Sequence, residues 1–141
     1  MLEVATHVDH PITAAEVPAS ECVSYVLNRF AKNRATFELF LRTYTLELCP
    51  EIKRAQWRYF ETSNGAVFMV PVGQDSLLVS IDVNGFEARV SAEVAGLIVS
   101  LYVLSRVALL SRDQEHMRMV VMLRNYAMQH PKAATIYRAI D

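Results

Sequence analysis

The two segments W-R-Y-F-E-T-S-N-G-A-V-F-M-V-P (57–71) and L-L-V-S-I-D-V-N-G-F-E-A-R-V (77–90) decide the fold of this chain. Each contains an Asn-Gly step, at positions 64–65 and 84–85, between short runs rich in β-branched and aromatic residues. Asn-Gly readily takes the positive φ angles of a two-residue hairpin turn, so the sequence predicts two tight antiparallel hairpins in succession. On this interpretation both Asn residues serve the turn and neither is an active-site residue.

Two-residue turns also fix which residues face each other across each hairpin. Thr62 would face Val67 in the first hairpin, and Val83 would face Phe86 in the second. With residues 73–76 as the connection, we predict a four-stranded antiparallel β-meander. The first hairpin carries apolar residues on both faces, whereas the second alternates between apolar and polar residues.

The predicted register of the second hairpin contains one unfavourable contact. It places Asp82 opposite Glu87, with Arg89 near enough on the diagonal to compensate. A slip of one residue would put Asp82 on the apolar face beside Phe86, so the hydrophobic pattern favours the two-residue loop despite the like charges.

Helical periodicity predicts two helices before the sheet and about three after it, which makes the fold class α+β. The helices would run from Pro18 to about Ala31, from an Asn33 N-cap to Leu48, from a Ser91 N-cap through Ala108, from a Ser111 capping box to Gln129, and from Pro131 onward. Gly96 lies inside the third of these helices. Glycine costs a helix about 1 kcal/mol relative to alanine, so its presence indicates close approach to another backbone.

The length of 141 residues fits one domain, and 52% apolar with 21% charged residues is typical of a globular one. We predict a flexible N-terminal arm over residues 1–16, which lack periodicity, and a single domain over residues 17–141. The N-terminus has no secretory signal, so we expect a cytoplasmic protein in which Cys22 and Cys49 are buried free thiols. The apolar run 94–105 is too short to span a bilayer, and we predict a core helix without membrane contact.

The charge balance excludes two strategies of nucleic-acid recognition. Fourteen Lys and Arg residues oppose fifteen Asp and Glu residues, for a net charge of −1. A duplex-binding domain usually has a basic excess, and a protein that imitates DNA needs dense negative charge. We therefore expect neither global duplex binding nor acidic mimicry of DNA.

The sequence contains no common catalytic motif, so we predict neither an enzyme nor a cofactor. His7, Asp9 and His10 provide fewer than the four ligands that a structural metal site needs, so no metal is predicted. His116 and His130 would lie near helix ends, and a small hydrolase that uses either of them stays as a third hypothesis.

The residues that enter the first predicted strand alternate between basic and aromatic types. Lys53, Arg54, Trp57 and Arg58 combine the cations that contact phosphate with a ring on which a base can stack. The same pattern is typical of a protected edge strand. A DNA-binding accessory protein that uses these four residues is therefore the alternative function.

Three stretches together resemble the ArdB/KlcA antirestriction family. They are W-R-Y-F-E-T-S-N-G-A-V-F-M-V-P (57–71), N-G-F-E-A-R-V-S-A-E-V-A-G-L (84–97) and L-R-N-Y-A-M-Q-H-P-K-A-A-T-I-Y-R-A-I-D (123–141), and their order and spacing also agree. The resemblance covers roughly residues 17–141.

The resemblance implies an accessory protein of mobile elements such as plasmids and phages. It would relieve restriction by type I restriction-modification systems, leave modification intact, and contact the restriction complex directly or indirectly, with DNA contact possible. We expect a monomer or weak homodimer. The candidate interaction residues within the resembling segments are Trp57, Arg58, Asn64 and Asp141.

Overall fold

A computed structural model of the chain describes residues 11–54 and 56–141. Over these residues the protein has the predicted α+β composition, with antiparallel strands and α-helices. The strands are β1 (Ala14–Glu16), β2 (Trp57–Thr62), β3 (Val67–Pro71), β4 (Ser76–Ile81) and β5 (Phe86–Ser91). The helices are α1 (Cys22–Phe30), α2 (Arg34–Leu48), α3 (Ala92–Ser111), α4 (Gln114–Met128) and α5 (Ala133–Ile140).

The strands form two sheets, so the prediction of a single four-stranded meander is wrong. One sheet has the order β1-β2-β3 and the other consists of β4 and β5. Helix α3 occupies the edge of β3 that β4 would need: the backbone N–H of Met69 donates to Ser100 Oγ at 2.9 Å. Pro71 has no N–H to offer at the same edge. The chain therefore leaves the first sheet after β3.

The first hairpin is offset by one residue from the predicted register. Phe60 pairs with Phe68, and beyond the strand pairs the N–H of Thr62 donates to the carbonyl of Ala66 at 2.8 Å, which leaves residues 63–65 as the loop; Gly65 there has a φ of +102°. Thr62 Oγ1 accepts the N–H of Ala66 at 2.8 Å and closes this loop. Both faces of β2 and β3 carry apolar residues, so a one-residue shift exposes nothing and the turn decides the register.

The second hairpin is offset by two residues. Ile81 pairs with Phe86 across a four-residue loop, and Val83 is 89% exposed at its tip. An even shift keeps every side chain on its predicted face. It also removes the predicted clash, because Ser80 replaces Asp82 opposite Glu87.

Helix α3 is the centre of the core. It is long and apolar enough to cross a membrane by length and composition alone, but 67% of that stretch is buried inside the domain. Ser91 caps it as predicted, with Oγ accepting the N–H of Val94 at 3.1 Å. The close approach predicted for Gly96 is also confirmed, because a Cβ there would lie 2.1 Å from the carbonyl oxygen of Met69.

The start of α4 differs from the prediction. Helix α3 continues through Ser111, and Arg112 follows with a φ of +56°. Asp113 is therefore the N-cap, and its Oδ1 accepts the N–H groups of Glu115 at 2.8 Å and His116 at 3.2 Å. The predicted capping box at Ser111 is wrong by two residues.

The N-terminal side of the domain includes a strand that the sequence pattern did not indicate. Residues 14–16 pair with β2, so the end of the segment predicted as a flexible arm is ordered strand. The remainder of that prediction, over residues 1–10, lies outside the described residues.

Candidate functional site

Asn64 and Asn84 have a different role from the predicted one. The positive φ angles belong to the following residues, Gly65 at +102° and Gly85 at +72°, and neither Asn is in that region. Asn64 Nδ2 instead donates to the carbonyl of Met122 in α4 at 2.9 Å. The prediction that Asn provides the positive φ is wrong, while the expectation that folding explains these residues stands.

Asn84 makes the equivalent contact from the second hairpin. Its Nδ2 donates to the carbonyl of Ala139 in α5 at 2.8 Å, and its Oδ1 accepts the N–H of Phe86 at 3.0 Å. Tyr102 Oη donates to the same Ala139 carbonyl at 2.8 Å. Both hairpin loops are thus fastened to the C-terminal helices, and Asn64 is a structural residue.

Arg58 is engaged in a bidentate ion pair. Its Nε and Nη2 donate to the two carboxylate oxygens of Glu16 on β1 at 3.0 and 2.8 Å. The guanidinium also lies over the ring of Phe60, 5.1 Å from the centroid. These hydrogen bonds and the positive charge hold the pKa of the Glu16 carboxyl below its usual range. The charge of Arg58 is therefore largely neutralised within the sheet.

Trp57 lies on the opposite face of β2 and lines a groove against α2. We call this cavity, whose volume is about 430 Å³, the α2–β2 groove. Its lining residues are Glu38, Leu41, Arg42, Leu46, Lys53, Arg54, Trp57 and Tyr59. Burial raises the pKa of Tyr59 to about 12, which keeps its hydroxyl neutral.

Three of the four residues predicted as a nucleic-acid patch line the groove, and the fourth does not. Lys53, Arg54 and Trp57 line it, whereas Arg58 points to the other face because side chains alternate along a strand. Arg42 was missed by the sequence analysis. Its spacing of four residues from both Glu38 and Leu46 places all three on one face of α2, but nothing in the sequence pairs that face with β2.

The four residues predicted as an interaction surface lie in different parts of the fold, and their role in an interaction stays a prediction. Trp57 begins β2, whereas Asn64 lies in the loop beyond its other end, about 20 Å away at the rise of a strand. Asp141 is exposed at the end of α5, where its N–H donates to the carbonyl of Tyr137 at 3.0 Å. Burial, with smaller contributions from nearby groups that include Asp141, raises the pKa of Tyr102.

The two described histidines hold helices in place. His130 Nδ1 accepts the N–H of Lys132 at 3.0 Å, so Nε2 carries the proton and donates to Glu93 Oε2 at 2.8 Å. His116 is buried with its Nε2 3.1 Å from Asn33 Nδ2, and its Nδ1 has no hydrogen-bond partner among the described residues. Asn33 occupies the predicted N-cap position of α2, but its side chain makes no capping bond there.

No cluster of three or more potential metal ligands is found within residues 11–54 and 56–141. His7, Asp9 and His10 lie outside these described residues. Cys22 and Cys49 are both free thiols, as predicted; Cys49 is buried as expected, whereas Cys22 is only half-buried.

Fold and surface thus define a small α+β protein whose two hairpin loops are hydrogen-bonded to its C-terminal helices and which has a cationic, aromatic groove between α2 and β2. A sequence model of the antirestriction proteins matches residues 50–141. This match spans more than half of the chain, so the protein belongs to the antirestriction protein family.

Individual relatives agree with this assignment. The chain is 29% identical over 138 residues to antirestriction protein KlcA of Escherichia coli, covering 94% of this chain and 97% of KlcA. It is 37% identical over 95 residues to YfjX of Escherichia coli strain K12, an uncharacterised protein, covering 66% of this chain and 62% of YfjX.

A solved structure from work on the KlcA and ArdB proteins matches with a TM-score of 0.84 at 29% identity, over 94% of this chain and 96% of that one. For those proteins the work describes a novel fold and antirestriction activity against type I DNA restriction systems in vivo but not in vitro. The resemblance to ArdB and KlcA is thereby confirmed.

Proposed function

We propose that this protein relieves restriction of unmodified DNA by type I restriction-modification systems without blocking modification. It acts in the cytoplasm, as a monomer or weak homodimer encoded by a mobile element, through contacts and not through catalysis. The observation that carries the proposal is the agreement of the whole fold with the KlcA and ArdB structure, at a TM-score of 0.84 over 94% of the chain.

The charge distribution supports contact without mimicry of DNA. The net charge is −1, and four of the described carboxylates are paired with arginine side chains. These pairs are Glu16 with Arg58, Glu38 with Arg34, Glu51 with Arg89, and Glu61 with Arg29. A surface that imitates a duplex needs unpaired negative charge at phosphate spacing, about one charge per 1.7 Å of helix axis.

The test is the plating efficiency of unmodified phage on a strain with an active type I system, with and without this gene. We expect the gene to raise plating efficiency, and we expect the progeny phage to carry the modification and plate fully on a second restricting host. Equal plating with and without the gene would remove the proposal, and unmodified progeny would remove its second part.

The hydrolase hypothesis is separated by histidine variants. A His130→Ala variant that keeps its fold should retain antirestriction activity, because His130 serves to join α3 to α5 through Glu93 and Lys132. The matched control is Glu93→Ala, which breaks the same contact without removing an imidazole. Loss of activity in the histidine variant alone, with both proteins folded by circular dichroism, would favour catalysis.

A further inference from the structure

Three cations that line the α2–β2 groove, like several others in the described part of the chain, have no carboxylate partner, and the groove brings these three together. Arg29, Arg34, Arg58 and Arg89 all have carboxylate partners within ion-pair distance. Among the described residues, no carboxylate lies within that distance of Arg42, Lys53 or Arg54, although the chain as a whole carries a charge of −1. Three unpaired cations converging on one groove favour an anionic ligand.

The remaining lining specifies which anion fits. Trp57 is half-buried, so part of its indole is presented to the groove, and Tyr59 lies two residues along the same face of the strand. Leu41 and Leu46 complete an apolar lining. A planar apolar group next to an anion is the chemistry of a nucleotide, whose base stacks on an aromatic ring while its phosphate contacts lysine and arginine.

We propose that the α2–β2 groove binds single-stranded nucleic acid, with a base stacked on Trp57 and phosphates at Arg42, Lys53 and Arg54. The volume of about 430 Å³ suits one or two nucleotides and is too small for a duplex. Glu38 also lines the groove, where Arg34 holds it at 3.2 Å, and its charge directs phosphates toward the lysine and arginine end. This inference does not depend on antirestriction activity, since it concerns binding by the isolated protein.

Binding has a direct spectroscopic readout because Trp57 is the chain's single tryptophan. Titration of the full-length protein with an oligothymidylate of eight nucleotides should quench its fluorescence. Three phosphate contacts on a single strand give a slope of about −2 for the logarithm of affinity against the logarithm of salt concentration, or about 20-fold weaker binding between 50 and 200 mM salt.

Variants locate the site. Arg42→Ala, Lys53→Ala and Arg54→Ala should each weaken binding and reduce the salt slope by about 0.7. Arg58→Ala is the matched control: it removes the same charge next to Trp57, but from the other face of β2, and should leave both quantities unchanged.

The stacking contact is tested separately with a fluorescein-labelled oligonucleotide, read by anisotropy. Trp57→Phe keeps an aromatic face and should retain most of the affinity, whereas Trp57→Leu should lose about tenfold or more. Circular dichroism of both variants establishes that they fold.

Several results would overturn the proposal. One is the absence of quenching at 50 mM salt. Equal binding of an oligomer of deoxyribose phosphate without bases, or of polyglutamate, would identify the groove as a general polyanion or acidic-polypeptide site. An effect of Arg58→Ala as large as that of Arg42→Ala would mean that the cations act through net charge and that the groove is not the site.

Discussion

The close packing of α3 on β3 predicts that the smallest possible enlargement of Gly96 is destabilising. In Gly96→Ala the new Cβ would lie 2.1 Å from the carbonyl oxygen of Met69 and 2.9 Å from the Cα of Val70. Both are backbone atoms, so no side-chain rotation relieves the contact. Restoring an ordinary separation of 3.4 Å from the oxygen requires the helix and strand to move apart by about 1.3 Å.

The size of the effect follows from three contributions. Overpacking of a core typically costs about 1–3 kcal/mol, and alanine returns about 1 kcal/mol of helix propensity. One turn further along α3, the same movement stretches the 2.9 Å bond from Met69 N–H to Ser100 Oγ, and a buried donor without a partner costs about 1–3 kcal/mol. We expect a net loss of about 1–5 kcal/mol in the free energy of unfolding.

Urea denaturation followed by circular dichroism measures this loss as a lower midpoint at an unchanged slope. Ser105→Ala, an exposed change on the same helix, is the control and should alter stability by less than about 0.5 kcal/mol. Adding Ser100→Ala to Gly96→Ala should cost less than the sum of the single changes, because both act through Met69. A Gly96→Ala protein as stable as the parent would refute the contact between α3 and β3.

Three further outcomes are expected. Asn84→Ala should lower the unfolding free energy by about 1 kcal/mol through loss of its helix contact, whereas the exposed neighbour change Val83→Ala should be near neutral in the same thermal melts. Hydrogen bonds and charge from Arg89 lower the pKa of the Glu51 carboxyl. The contribution of this ion pair to the free energy of unfolding is therefore present at neutral pH and is lost as the pH falls below about 4–5. Glu51→Gln should make the free energy of unfolding depend less steeply on pH in this acidic range. Burial raises the pKa of the Cys49 thiol to about 11. When the native protein is treated with iodoacetamide at pH 8, mass spectrometry should therefore find Cys22, which is only half-buried, labelled before Cys49. Equal labelling of the two cysteines would contradict the buried position of Cys49.

Local patterns predicted the elements of this fold more reliably than the way they are joined. Helical periodicity and the Ser91 cap depend on neighbouring residues, and the structure agrees with both. The glycine inside α3 correctly indicated a close approach, but the sequence did not identify Met69 as the partner. Strand pairing depends on distant residues. In the first hairpin both faces are apolar, so the sequence pattern did not determine the register. In the second hairpin the register was wrong by two residues, but the prediction of which side chains share a face was correct.

Pro71 was the sequence signal against a continuous meander. A proline in the third of the five strands removes an N–H that a following strand would need, which is expected only at an edge. The helix that covers this edge could not be inferred, because the Ser100 hydroxyl that satisfies Met69 lies 31 residues away.

The sequence predicted only those residues of the candidate site that lie close together along the chain. Lys53, Arg54 and Trp57 are close in sequence, so the pattern of cations and aromatic residues indicated them together. Arg42 joins them only through the packing of α2 on β2. Arg58 points to the other face of β2 because side chains alternate along a strand, and its partner there, Glu16, belongs to a strand that lacked a recognisable pattern.

The three stretches that resemble ArdB and KlcA meet one another inside the fold. Gly96 of the second stretch packs against Met69 of the first. Phe68 of the first stretch stacks on Tyr126 of the third, with ring centroids 5.4 Å apart. Asn84 of the second stretch binds the Ala139 carbonyl of the third.

Residues that contact one another in this way are constrained by packing in the interior of the fold, independently of the surface that the protein uses for its function. The resembling stretches therefore identify the scaffold and do not by themselves locate the functional surface. The α2–β2 groove is built differently: Trp57 and Tyr59 come from the first stretch, while Arg42, Lys53 and Arg54 lie outside all three. If the groove binds nucleic acid as proposed, substitutions at those three cations change binding without disturbing the contacts among the three stretches, which makes them direct tests of that proposal.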